Sequence, residues 1–470
     1  MVRPAADLAP KRAILVIMNV AAIILAAGKG TRMKSELPKV MHKVAGRTML
    51  GHVLGSVSRL EPERTAVVVG PGMEAVSQAV APVASVVQPE QLGTGDAVKA
   101  ARDLLNGFVG TVLVLFGDTP FISSATLVNM IDARAAKSAP AVVVLGFRPG
   151  DPGAYGRLVR DSGGGLQAIV EARDASPEEL AIDLCNSGVM AIDGKELFAL
   201  IDAIDDDNAK CEFYLTDIVR IARERGLACA HIEADESELL GVNSRADLAV
   251  AEAIMQQNLR AGAMASGVTL IDPTTVWFSF DTELAPDVII APNVFFGPGV
   301  TVASGVEIKA FSHIEGAAVA AGATVGPFAR LRPGARIGKG ARVGNFVEVK
   351  NAVLEPGAKV NHLSYVGDAR VGQGANVGAG TITCNYDGFA KSHTDIGAGA
   401  FIGSNTALVA PVKIGDGAIV GAGSTISKDV ADDALALTRA EQAVVKGWAA
   451  KFREMRGAGR ARAKKKQAKG

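Results

Sequence analysis

Cysteine is scarce: Cys185, Cys211, Cys229 and Cys384 are the only four in 470 residues, and no two stand in C-x-x-C spacing. That excludes a disulfide framework and a thiolate zinc site, and the usage fits a reducing compartment. Net charge is lacking too, since 49 basic side chains face 49 acidic ones. A chain-wide electrostatic footprint for nucleic acid is therefore excluded. Aromatic residues make up 5% and charged residues 21%, against a hydrophobic fraction of 49%, which argues against intrinsic disorder. Glycine, at 53 residues, exceeds its usual share of about 7%, yet no Gly-X-Y period exists, so collagen is excluded. What remains is a soluble globular chain, long enough for two or three domains, with no nucleic-acid partner and no membrane insertion expected.

One segment imitates a secretory signal. Lys11 and Arg12 precede the apolar run Ala13–Ala27, AILVIMNVAAIILAA. The run leads directly into GKGTRM, and cleavage there would destroy the chain's phosphate-loop candidate. A buried strand and a cytoplasmic location are therefore expected. Met18 offers an alternative start, with residues 1–17 as a disordered extension.

From residue 18 to 245, short apolar runs (Val20–Leu25, Thr65–Val69, Thr111–Leu115, Ala141–Leu145) alternate with stretches of helical periodicity such as His52–Leu60 and Ser124–Ala136. This predicts an α/β domain with a Rossmann-like, mostly parallel sheet covered on both faces. Ligands in such sheets gather at the carboxyl ends of strands, which directs attention to the loops after Leu25 and Leu115. Residues 246–267 read as a linker helix. From 268 to 440, apolar residues recur at six-residue steps, from Ile290 to Ile314, Val325 to Val349 and Ile396 to Ile426. Such self-similarity predicts a parallel β-helix of three hexads per coil. This stretch holds 24 of the 53 glycines, at the expected corners. Its phase breaks between Ile314 and Val325 and around Cys384–Thr394, the latter reading as an extruded loop. Residues 441–470 carry ten Lys or Arg against two acids and read as a disordered, solvated basic tail.

Leu25-Ala26-Ala27-Gly28, continuing to Met33, follows a buried strand with small residues that let main-chain N–H groups approach an anion, while Lys29 and Arg32 add positive charge. It matches neither a Walker loop nor a G-x-G-x-x-G turn. Lys39 brings a further cation, Gln88–Gly95 a polar glycine loop, and Phe116-Gly117-Asp118 closes a strand with a carboxylate. Asp118 suits magnesium, which needs few protein ligands when phosphates and water fill the octahedron; a turn cap before Thr119-Pro120 is the alternative. On the coil, Arg332 and Lys350 are separated by one full coil of three hexads, so they can stack on neighbouring coils and meet one phosphate. His362 breaks a small, apolar pattern, and an imidazole titrates where a base for an attacking amine is needed.

LAAGKGTRM, LPKV, QLGTG, FGDTP, YGR (Tyr155–Arg157), Glu171, NSG (Asn186–Gly188) and GVN (Gly241–Asn243) together resemble the sugar-1-phosphate nucleotidylyltransferases. Joined to the hexapeptide coil, they resemble the bifunctional bacterial N-acetylglucosamine-1-phosphate uridylyltransferases and glucosamine-1-phosphate acetyltransferases, over roughly residues 18–448. The resemblance implies that Leu25, Ala26, Ala27 and Gly28 hold the nucleotide of UTP, with Gln88, Gly93 and Thr94 around the uracil. Arg32 and Lys39 would face the phosphates, Asp118 and Asn243 would bind Mg2+, and Gly156, Glu171 and Asn186 the N-acetylglucosamine moiety. Phe116, beside Gly117, departs from the family's pattern, where tyrosine is expected. On the coil it implies His362 as the base, Arg332, Lys350, Tyr365, Asn376, Asn385 and Tyr386 around glucosamine-1-phosphate, and Ala379, Ser404, Ala422 and Arg439 around acetyl-CoA. It further implies a left-handed coil, a homotrimer and an acetyl site between subunits. Two other readings are a single-activity nucleotidylyltransferase whose coil only oligomerises or regulates, and a catalytically silent nucleotide sensor or scaffold. The His362, Lys350, Arg332 and Asn385-Tyr386 set speaks against the first, and Asp118 with Asn243 against the second.

Overall fold

A computed structural model describes residues 19–467, with side-chain surroundings described to 458. The expected extension over 1–17, Met18 and the start of the apolar run lie outside the described residues. The chain divides into two compact units, one reaching to Asp287 and taking in Phe295–Val300, the other formed by Val288–Val294 and Thr301 onward.

In the first unit, apolar runs without polar alternation become strands buried on both faces. The sheet runs in the order Cys229–Glu233, Val142–Phe147, Cys185–Asp193, Thr111–Phe116, Val20–Leu25, Arg64–Val69, Ala84–Val87. Only Cys185–Asp193 is antiparallel to its neighbours in this order. The hairpin Arg157–Arg160 and Leu166–Val170 is attached to its start. Along Val20–Leu25, Ala21, Ile23 and Leu25 face one core with Val98 and Leu200, while Ala22 and Ile24 face another with Leu50 and Met130. The α/β class expected from the sequence is the one observed. Leu25 lies opposite Phe116 in parallel register, so the loops leaving both strands emerge side by side.

Ser244 caps the helix Arg245–Ala265 through a capping box with Asp247, whose carboxylate also accepts from Asn243 N at 2.9 Å. The helix packs within the first unit, where the Gln256 amide pairs in both directions with the Phe278 backbone, at 2.7 and 2.8 Å.

The second unit is a coil of short strands, most of them two residues long with one residue facing out and the next buried. Ile308 stacks on Val325, Val325 on Val343, Val343 on Val360 and Val360 on Val377, each step advancing the chain by close to three hexads. A second face stacks Ile314, Leu331, Val349 and Val366, and a third Val319, Ile337, Leu354 and Val371. Three faces per coil and parallel pairing throughout make this the hexapeptide β-helix. The first phase break is a shortened step, filled by Val319 in the strand Ala318–Val319. The second is an insertion: Val377 pairs with Ile402, more than a hexad beyond the usual step, because 385–393 leave the coil between Ile382–Cys384 and Thr394–Ile396. One corner is a column of glycines that includes Gly340 and Gly357, at φ of 64° and 71°, a conformation in which a side chain would be strained. Another corner places Phe311, Phe328, Phe346 and Leu363 in the same left-handed conformation, and the three phenyl rings stack at 5.0 Å, half exposed.

The tail read as disordered is helical over Trp448–Gln467. Its Ala, Arg, Lys and Gln content favours helix even though the described side chains are exposed. Among the described residues, no helix is long and apolar enough to cross a membrane.

Candidate active sites

The first constellation gathers at the carboxyl edge of the sheet. The loop after Leu25 is held by Ala26 N donating to Val68 O at 2.8 Å and by the Gln91 amide donating to Ala27 O, while Gly28 is left open to approach. At Gly30, φ is 60° and a Cβ would lie 2.6 Å from the Lys39 Cβ, so only glycine lets the lysine stem cross the loop here. Lys39 begins a short 3-10 helix, Lys39–Met41, and its ammonium donates to Asp118 Oδ2 and, at 3.1 Å, to Asn243 Oδ1. Arg32 donates to the same Asn243 oxygen at 3.0 Å. Val242 N donates to Asp118 O at 3.0 Å, which ties the two segments together. Asp118, Asn243, Lys39 and Arg32, far apart in the chain, thus converge.

Beside them lies the Gln88 loop. Gln88 is buried and donates to Gly93 O at 3.0 Å and Asp96 Oδ2 at 2.7 Å, while Thr94 Oγ1 accepts from Leu215 N at 3.0 Å. Their polar atoms shape the loop. Gly156, Glu171 and Asn186 also meet: Asn186 N donates to Gly156 O at 2.8 Å, and a Cβ on Gly156 would touch Glu171 Oε1 at 3.5 Å. Burial pushes the Glu171 carboxyl up, with Lys210 and the Thr216 hydroxyl opposing it. The Phe116 ring covers Gly188, where φ is 86° and a Cβ would stand 2.5 Å from Cε2. The phenyl ring therefore packs against this glycine, and the position offers no hydroxyl.

On the coil, Arg332 and Lys350 do stack on successive coils, since Leu331 pairs with Val349 and Arg332 N donates to Val349 O at 2.9 Å. Arg332 Nη1 bonds Glu348 Oε1 at 2.8 Å, and Glu348 pairs with Tyr365 in the next coil. Asn385 Nδ2 lies 3.5 Å from the Tyr365 hydroxyl. Tyr386 opens the extruded loop, bridged to Lys391. Asn376 does not join this group, because it pairs with Lys359 and Phe401 on a different face. His362 ends the same face as Asn376, and its Nδ1 meets Asn345 Oδ1 at 2.7 Å. His362 also heads a column of small residues: Gly380 N donates to His362 O at 3.2 Å, Asn405 N to Ala379 O at 2.7 Å, and Gly423 N to Ser404 O at 2.8 Å. Arg439 Nη1 closes the column on Ala422 O at 3.0 Å. Together with Asn345, His362 lines an open groove of about 570 Å³ that Lys309 and Arg342 also border.

Three contributors were given no role by sequence reasoning, although Arg157 stands in the YGR motif. Lys391 sits against Lys350 and, as a like charge, holds the Lys350 ammonium below its usual range, with Arg332 adding to the effect. Arg157, buried, donates to the carbonyls of Pro152, Gly153 and Tyr155 and so ties down the loop before Gly156. Asp247 orients Asn243 from the capping box; burial raises its carboxyl, but bonds from Asn243 and Ser244 and the Arg32 charge outweigh that and hold it low. The S-x-x-D spacing of Ser244 and Asp247 was a usable signal. Arg157 was marked by the YGR motif, and Lys391 had no signal.

Residues 22–177 match the MobA-like NTP transferase domain, and residues 393–428 the bacterial transferase hexapeptide, six repeats. Fold and sites thus define a nucleotidyltransferase joined to a hexapeptide-repeat transferase. The bifunctional protein GlmU of Paramagnetospirillum magneticum is 62% identical over 444 residues, 94% of this chain and 99% of that protein. That of Rhodospirillum rubrum is 64% identical over 92% of this chain and 97% of its own length, and that of Zymomonas mobilis 52% over 92% and 97%. The chain belongs to the GlmU family. It is a bifunctional enzyme of UDP-N-acetylglucosamine synthesis that transfers acetyl from acetyl-CoA to glucosamine-1-phosphate and uridylyl from UTP to N-acetylglucosamine-1-phosphate, releasing pyrophosphate.

Proposed function

We propose that each transfer runs at one of the two constellations, with the residues in the following roles. At the first, the sugar phosphate attacks the α-phosphorus of UTP in line and pyrophosphate leaves. Such a transfer needs charge neutralisation and positioning more than covalent help. Lys39 and Arg32 supply positive charge, the loop Leu25–Gly28 cradles the nucleotide with Gln88, Gly93 and Thr94 around the base, and Gly156, Glu171 and Asn186 seat the sugar. Asp118 and Asn243 fit Mg2+, since a carboxylate and an amide oxygen already share one cation, the Lys39 ammonium. When bound, the ion would neutralise the polyphosphate.

At the second, the amine of glucosamine-1-phosphate attacks the thioester carbonyl of acetyl-CoA. The C–N bond forms, the C–S bond breaks, the amine's proton passes to His362 and the thiolate leaves to become free coenzyme A. Donation from His362 Nδ1 to Asn345 Oδ1 leaves Nε2 with the lone pair that takes this proton. The column from His362 through Ala379, Ser404 and Ala422 to Arg439 carries the assignment, because it supplies a base at one end, a narrow track, and a cation at the other. Arg332, Lys350, Tyr365, Asn385 and Tyr386 take the sugar phosphate.

The active form is proposed as a homotrimer. Half-exposed Phe311, Phe328 and Phe346 form an apolar ladder on the corner that Leu363 continues, and Asn376 lies on another face from the sugar-phosphate group, so a neighbouring subunit would complete the set. Cytoplasmic action, and supply of a precursor for peptidoglycan and lipopolysaccharide, fit free cysteines and substrates that are cytoplasmic metabolites. The test scores free thiol from glucosamine-1-phosphate with acetyl-CoA and, in a separate reaction, pyrophosphate from N-acetylglucosamine-1-phosphate with UTP and magnesium. Both products are expected, and His362→Ala is expected to remove only thiol release; loss of pyrophosphate release as well, with N-acetylglucosamine-1-phosphate supplied, would overturn the division of sites.

A further inference from the structure

The cationic cluster on the coil contains one carboxylate, Asp368, that the mechanism above does not use. It occupies a corner at φ 46°, between Asn351 and Asn385 of the neighbouring coils. Asn351 Nδ2 donates to Oδ1 at 2.6 Å, and Asn385 Nδ2 donates to Oδ2. Both oxygens are thus taken by amides, and among the described residues Asp368 makes no ion pair. Burial raises its carboxyl, but the two amide bonds and the charges of Lys350 and Lys391 outweigh burial and hold it low. The arrangement has two consequences. A carboxylate whose two oxygens each accept an amide bond offsets the mutual repulsion of Lys350 and Lys391 without an ion pair to either ammonium among the described residues, which leaves both open to an anion. In addition, Asn385 is pinned by its nitrogen, which leaves Oδ1 as its free polar atom at the root of the loop that carries Tyr386 and Lys391.

We propose that Asp368 is a positioning residue for the sugar-phosphate half of the acetyl site, holding Asn385 and keeping the lysine pair open and charged for the substrate phosphate. This rests on the assignment of Arg332, Lys350 and Asn385 to that half. The charged groups that face Lys350 are Lys391, Arg332 and Asp368, and Arg332 in turn faces Glu348, Tyr365 and Glu315.

The test is steady-state acetyl transfer by the full-length enzyme and by Asp368→Asn, with Lys350→Ala as reference. Asp368→Asn is expected to raise KM for glucosamine-1-phosphate about tenfold, the scale of one lost hydrogen bond to a charged group. KM for acetyl-CoA should stay within about twofold of the wild type on the same scale. The alkaline limb of 1/KM for glucosamine-1-phosphate should move to lower pH, because the lysines lose their balancing charge. Asp368→Gly, which suits the positive φ, guards against a folding failure of the first variant and is expected to act in the same direction. If Lys350→Ala raises KM and both Asp368 variants leave KM and the pH limb unmoved, the inference is overturned and the site assignment stands. An unchanged KM in Lys350→Ala would overturn the site assignment itself. Equal weakening for both substrates, with no movement of the pH limb, would assign Asp368 a merely structural role and also overturn the inference.

Discussion

The imidazole of His362 bonds through Nδ1 to Oδ1 of Asn345, 2.7 Å away, and the two residues are in register on adjacent coils. The bond orients the ring and selects the tautomer with a basic Nε2. His362→Ala is expected to lower the acetyl-transfer kcat by about 10² to 10⁴, the usual range for a positioned general base. Asn345→Ala, which keeps the base and frees the ring, should cost about tenfold. Thiol release measured on both variants checks the order, and an Asn345 effect equal to that of His362 would contradict it.

Asp118 and Asn243 hold one cation between them, and removing the charge of the former should affect only the first unit. Asp118→Asn is expected to reduce pyrophosphate release by about a hundredfold or more, on the scale of a lost electrostatic contribution at the reacting phosphate. Acetyl transfer should persist. Titration of the variant with Mg2+ by calorimetry should show weakened binding, and retention of full pyrophosphate release would refute the role.

Glu171 carries a pH signature. Its carboxyl is raised in the folded protein, so the folded state binds the proton more tightly than the unfolded chain. The corresponding stabilisation is complete below the unfolded value of about 4.3 and is lost as pH rises through the folded value. Glu171→Gln removes this dependence. Relative to wild type, the variant's melting temperature should therefore improve on going from pH 4 to pH 8, while its KM for N-acetylglucosamine-1-phosphate rises. Thermal melts at several pH values, paired with uridylyl kinetics, measure both.

Ile402 is fully buried in the column between Val377 and Val420. Ile402→Ala should cost about 2–5 kcal/mol through lost burial and a residual cavity. Because it lies beside the register jump where the loop leaves the coil, acetyl transfer should weaken with heat sooner than uridylyl transfer. Activity of both functions after graded heating is the measurement.

Much of this was legible in the chain. Buried strands such as Val20–Leu25 announce themselves by apolar runs, and hexads by their period, because both patterns are set by local geometry that repeats along the backbone. Arg332 and Lys350 could be stacked from spacing alone, since no insertion separates their coils. The column from His362 to Ala422 could not. The loop 385–393 lengthens one coil by more than a hexad, and only the pairing of Val377 with Ile402 restores the register.

By itself, then, the sequence determined an α/β unit, a hexapeptide coil and the two sets of loops where chemistry gathers, all consequences of short-range pattern. Tertiary structure alone decided that Lys39, Asp118 and Asn243 share one point, that Lys391 stands against Lys350, and that Asp368 accepts an amide bond from each neighbouring coil. Those contacts join residues from separate strands, coils and an extruded loop, and their meeting is set by sheet order and coil register, which no local pattern encodes.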